Sequence, residues 1–191
     1  MKNATHIILL IILIFLPQRL YAAELPADMV RIQAGCFIMG TDQNALYEDD
    51  DDNAREKPAH KVCLGEFYLD RFEVSQKKWD SVMSFNRSVF HNPEQPITHI
   101  NWREARKYCK KIGRRLPTEA EWEYSARAGS PSRFPWGEEM DDDYLWYAGN
   151  SPREPANIGK KKPNAWGLHD MVGGVWEWVE DWFSLDYYQH S

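Results

Sequence analysis

Between Met29 and Met39 the chain reads MVRIQAGCFIM, with β-branched and aromatic residues on either side of Gly35, which predicts two short strands around a turn. His60 to Val74, HKVCLGEFYLDRFEV, has the same character and is broken at Gly65. The period then changes. Ser75 is a good helix cap, and Trp79, Val82 and Met83 share one side of a helix that the spacing carries to about Phe85. Asn101 caps a second helix, in which Trp102, Ala105, Cys109 and Ile112 recur at three- and four-residue spacing before Gly113 closes it. Thr118 and Glu121 form a T-x-x-E capping box, with Pro117 just before and Gly129 just past the end, so a short helix is expected from Glu119 to Ala128. Beyond it the chain is mostly loop, with no internal repeat and no linker long enough to separate a pair of domains.

One stretch fits neither period. From Asn164 to Trp182, NAWGLHDMVGGVWEWVEDW sets Trp176, Trp178 and Trp182 and the acids Asp170, Glu177, Glu180 and Asp181 against the pair Gly173-Gly174. Large indoles anchor irregular backbone, and adjacent glycines let carbonyls turn toward a common centre. Calcium takes oxygens only, from carboxylates and carbonyls together. Asp170, the Gly173 and Val175 carbonyls and Glu177 would converge on such an ion if the chain between them is extended. An ordinary turn is the other reading, because acids near glycines are common in turns. The acids Glu48 and Asp49 to Asp52 read as a solvated loop, since adjacent acids lack the alternating ligand spacing of a calcium hand.

Composition bears on compartment and partners. Lys2, an apolar run from Ile7 to Leu16, Pro17 and the small residues Ala22 and Ala23 follow the order of a cleavable secretory signal, residues 1 to 23, too short for a comfortable membrane span. The expectation is a secreted or periplasmic protein with no membrane contact beyond that signal. Its removal takes away Lys2 and Arg19 and moves the formal charge from −6 to −8. An acidic chain lacks the basic footprint that nucleic acid requires. The remaining residues, 24 to 191, suit one domain. In an oxidising compartment Cys36 and Cys63, each in a strand-like segment, are the natural disulfide, leaving Cys109 over. There is no G-x-S-x-G, no H-E-x-x-H and no C-x-x-C, so serine-triad and zinc chemistries are unsupported.

Four ordered blocks resemble the formylglycine-generating enzyme, or sulfatase-modifying factor, superfamily, which includes domains of ergothioneine synthases and pyoverdine-maturation proteins. They are MVRIQAGCFIMG, EKPAHKVCLGEFYLDRFEVS, INWREARKYCKKIGRRLPTEAEWEYSARAG and PNAWGLHDMVGGVWEWVEDW. The resemblance implies a compact, loop-rich α+β fold related to C-type lectin-like folds. It implies a structural calcium held by the Asp170 and Glu177 side chains and the Gly173 and Val175 carbonyls. Asp170 stands where the family enzyme has an amide, and Gly174 where Asn is usual. A second calcium site of the enzyme is not expected, because its loop is shortened here to about Gly149 to Lys162. The resemblance further implies oxidation of a cysteine to formylglycine in a sulfatase-like protein or peptide, with copper held by two cysteines that match none of Cys36, Cys63 and Cys109. Cys109 corresponds to a family cysteine that often pairs near the carboxyl end. The expectation is therefore a domain incomplete at that end, with copper and catalysis only where the further segment is present. A non-catalytic binding module on the same fold is the alternative. The iron-dependent sulfoxide-synthase branch is disfavoured, since it relies on a separate histidine-bearing helical domain.

Overall fold

The computed structural model describes residues 26–42 and 56–190. The leader and the acid run from Glu48 to Asp52 lie outside the described residues. Four strands form one bent antiparallel ribbon: β1 (Met29–Ile32) pairs with β4 (Phe67–Asp70), and β2 (Gly35–Met39) with β3 (His60–Leu64). Met29 faces Asp70, Ile32 faces Phe67, Gly35 faces Leu64 and Met39 faces His60. One register therefore runs through the break, and continuing it sets Gln33 and Ala34 opposite Glu66 and Gly65. The strands around Gly35 form, but they lie end to end rather than as a hairpin. Gln33-Ala34 lacks the Asn-Gly or Asp-Gly chemistry of a two-residue hairpin turn, and the Tyr124 hydroxyl reaches the Gln33 carbonyl at the kink. Cys36 and Cys63 face each other in the ladder and are joined.

The first helix, α1 (Gln76–Asp80), is capped by the Ser75 side chain and stops well short of Phe85. The Trp79 indole donates to the Phe85 carbonyl, so the chain after Asp80 wraps around Trp79 instead of extending the helix. Trp79 is buried and stacks on Tyr108 at 5.3 Å. α2 (Trp102–Lys111) and α3 (Glu119–Arg127) each open with a capping box, Asn101 with Glu104 and Thr118 with Glu121, which satisfies otherwise unpaired helical N–H groups. α4 (Tyr187–His190) is a single turn.

Two apolar clusters hold these pieces. Ile32, Tyr124, Ala126, Leu168 and Met171 join the ribbon to α3 and to the loop beyond it. Trp79, Met83, Ile97 and Tyr108 join α1 to α2. On α2 the deepest residue is Tyr108, while Cys109 only packs at the edge of the cluster. Among the described residues no helix is long and apolar enough to cross a membrane.

Candidate functional site

The block from Asn164 to Trp182 is fastened at both ends by α2 and α3. Asn164 Nδ2 donates to the Ser125 carbonyl (2.8 Å) and the Ala126 carbonyl (3.2 Å) of α3, while its Oδ1 accepts the Trp166 and Leu168 N–H groups. One amide side chain thus ties the helix to the turn. At the other end Trp102 Nε1 donates to the Val179 carbonyl, Trp178 Nε1 to the Ile100 carbonyl, and Arg106 pairs with Glu180 at 2.9 Å. Asp181 accepts the Glu119 N–H at 2.5 Å, placing a carboxylate at the positive end of α3.

Between these fastenings lie the four expected ligands. Asp170 is 7% exposed; its Oδ2 accepts the Gly159 N–H at 2.6 Å, and its Oδ1 is buried without a partner. Glu177 Oε2 accepts the Trp122 indole N–H at 2.7 Å. Among the described residues no backbone N–H bonds to the Gly173 or Val175 carbonyl. The chain between the acids is not extended, contrary to the condition set by the sequence. Asp170, Gly173 and Gly174 all have positive φ, 58°, 79° and 77°, because the loop turns tightly where the Trp146 carbonyl meets Gly173 and takes the Gly174 N–H.

The structure adds a carboxyl that the sequence reading missed. Glu73 stands just before the Ser75 cap, and its Oε1 is buried without a partner. Burial first, then the charges of Glu177 and Asp170, push its pKa up to about 9. Burial raises Asp170 as well, against the Gly159 hydrogen bond. Loss of surrounding water raises Glu177, opposed by Trp122 and reinforced by Asp170; the residue keeps solvent contact, so water moderates that rise. Three carboxyls that each disfavour ionisation near the others form a place where positive charge is missing. Among the described residues no three His, Cys, Asp or Glu side chains converge as metal ligands, so a cation here must draw on carbonyls. No local spacing marks Glu73, since it comes from a different part of the chain.

Elsewhere the chemistry is sparse. The groove along α2 is lined by Trp102, Arg103, Arg106, Lys107, Lys110 and Lys111, all from one helix, which makes it a surface furrow. The thiol of Cys109 is pushed up to about 11, by burial first and then by Asp70.

A bent ribbon, capped helices and a long loop-built block with clustered carboxyls define a mixed α+β domain with little regular structure. Residues 20–191 match the family described as the sulfatase-modifying factor enzyme 1-like domain, and the chain belongs to that family. It is 30% identical, over an alignment spanning 226 residues, to the formylglycine-generating enzyme of Bos taurus, covering 84% of this chain and 59% of the relative. The chain thus spans about three fifths of that relative's length. Among solved structures, PvdO from Pseudomonas aeruginosa superposes with a TM-score of 0.69 at 27% identity, covering 85% of this chain and 73% of that one. The Treponema denticola variable protein 1 does so with a TM-score of 0.68 at 26% identity, covering 82% and 73%.

Proposed function

We propose that this is an exported member of the formylglycine-generating group, secreted or periplasmic, in which residues 24–191 supply a calcium-pinned scaffold rather than the oxygen-activating centre. The substrate class is a cysteine-bearing, sulfatase-like protein or peptide. The observation that supports the calcium is the buried, unpartnered Oδ1 of Asp170, with two carbonyls three and five residues further along the chain that take no backbone N–H. Asp170 and Glu177 with the Gly173 and Val175 carbonyls form an oxygen-only donor set, which suits a hard cation. Calcium there neutralises the block and fixes its backbone. Trp122 orients Glu177 and Gly159 orients Asp170, as outer partners orient ligands elsewhere.

Copper does not fit the cysteines present. It needs thiolates, whereas Cys36 and Cys63 are joined and the Cys109 thiol is held protonated by burial. The second reading is a non-catalytic binding module on the same fold. The test offers the 191-residue chain a sulfatase peptide containing cysteine, with copper and oxygen, and seeks the aldehyde by mass spectrometry. The expected result is none, and turnover would contradict the assignment of the cysteines. Aldehyde formation by the native exported protein would support the first reading, and peptide binding without conversion the second.

A further inference from the structure

The chain carries 29 Asp and Glu residues against 23 Lys and Arg, yet one face of α2 is lined by cations that meet no acid. Arg103, Lys107 and Lys110 are exposed and take part in no ion pair among the described residues. At 3.6 residues per turn they fall within about 60° of one another, opposite the buried Ala105 and Tyr108. Their neighbours on the helix are committed elsewhere, Arg106 to Glu180 and Lys111 to the Val82 carbonyl at 3.0 Å. Lys110, in the last turn, suits the negative end of the helix, but Arg103 stands in the first turn, where the dipole disfavours a cation. Helix stability therefore does not account for the row. At its amino end the furrow meets an aromatic pair: the Trp102 and Trp182 ring centroids are 5.8 Å apart, the Arg106 guanidinium stands over the Trp102 ring, and Trp182 is largely exposed.

We propose that this face docks an extended acidic peptide segment of another protein, with carboxylates at alternate positions and an aromatic side chain at one end. The unpaired cations select the sign of the partner, since complementary charge steers and registers an encounter. Their spacing selects its form. Four residues of helix advance about 6 Å, and alternate residues of an extended chain advance about 6.6 Å along one face. Acids two residues apart therefore fall opposite Arg103 and Lys107, with Lys110 about 4.5 Å further on and the flexible lysine stems taking up the difference. The exposed Trp182 beside Trp102 receives the aromatic end, as tryptophan commonly does at protein interfaces. The chain as a whole is acidic, with a formal charge of −6, so the row is a local contact and not a track for a long polyanion. None of these groups belongs to the proposed calcium donor set.

The experiment follows the fluorescence anisotropy of a labelled synthetic peptide, a tryptophan and then three glutamates separated by single serines, as the full chain is added. The peptide should bind at low salt and weaken as salt is raised. Lys107→Glu should weaken it by about fivefold or more, and Trp182→Ala by about fivefold. Lys61→Glu, the same charge change on the exposed side of β3, should leave it within about twofold. All three positions are solvent-facing, so the variants keep the fold. No binding at low salt, or equal losses in the Lys107 and Lys61 variants, would overturn the docking face. Equal affinity for a peptide whose three glutamates are adjacent would overturn the extended, alternating form. Binding of a heparin oligosaccharide through Lys107, with none of the peptide, would overturn the proposal in favour of a sulfated glycan.

Discussion

The ribbon and the 164–182 block are both irregular pieces closed by distant contacts, yet they differ in how their polar groups end. On the ribbon side Asp28 pairs with Lys78 at 2.6 Å and Arg114 bridges Asp28 and Asp70, so the acids face cations. Around the block, Glu73 Oε1, Asp170 Oδ1, Trp146 Nε1 and Glu180 Oε2 are buried without partners. Its indoles are exposed as well, Trp176 at 98% and Trp182 at 84%. Buried polar groups are normally satisfied, and the unmet oxygens of Glu73 and Asp170 are what the proposed cation would answer, while Gln95 Oε1 and Ser125 Oγ are unmet outside the block. One region meets its charges within the fold, and the other leaves buried carboxyl oxygens unmet.

Breaking the ribbon should cost most. Replacing Cys36 and Cys63 together by Ala removes the closure of the loop between them and should lower stability by about 2–5 kcal/mol in denaturant unfolding. Thr118→Ala removes the α3 cap that accepts the Glu121 N–H and should cost about 1 kcal/mol. Because Trp122 lies in the first turn of α3, this variant also asks whether the helix start positions Glu177. Calcium affinity close to wild type would place that job on packing instead. The smallest effect concerns Cys109. A raised pKa means the folded state binds the thiol proton more tightly, so thiolate is scarce below about pH 11. Alkylation of the native chain should be slow at pH 8 and rise about tenfold per pH unit toward that value, since the thiolate is the nucleophile. By the same linkage this group's contribution to stability falls as pH rises through the alkaline range. Rapid labelling at pH 8 under native conditions would show that Cys109 opens freely.

Local chemistry made some of this legible. The capping box at Thr118 and Glu121 and the Asn101 cap need only a few neighbouring residues, and both helices start where those residues stand. The end of α1 was not legible, because it depends on where the Trp79 indole finds an acceptor. Nor was strand pairing: β1 meets β4 across nearly forty residues, and no local pattern states that choice. In the candidate site the spacing of Asp170 and Glu177 drew attention to the block, but its left-handed backbone is set by contact with Trp146. Glu73 reads in sequence as an ordinary acid ahead of a helix cap. Only the fold brings its carboxyl close to Gly174.

Thermal melting of the wild-type chain and of Glu177→Ala, each with excess calcium and with chelator, tests the central claim most directly. A ligand that binds only the native state stabilises it by about 2.7 kcal/mol at one hundred times its Kd. Wild type should therefore melt several degrees higher with calcium than with chelator, and Glu177→Ala should melt at the same temperature in both. Identical melting of both chains under both conditions would mean that the block is a turn whose carboxyls bind nothing.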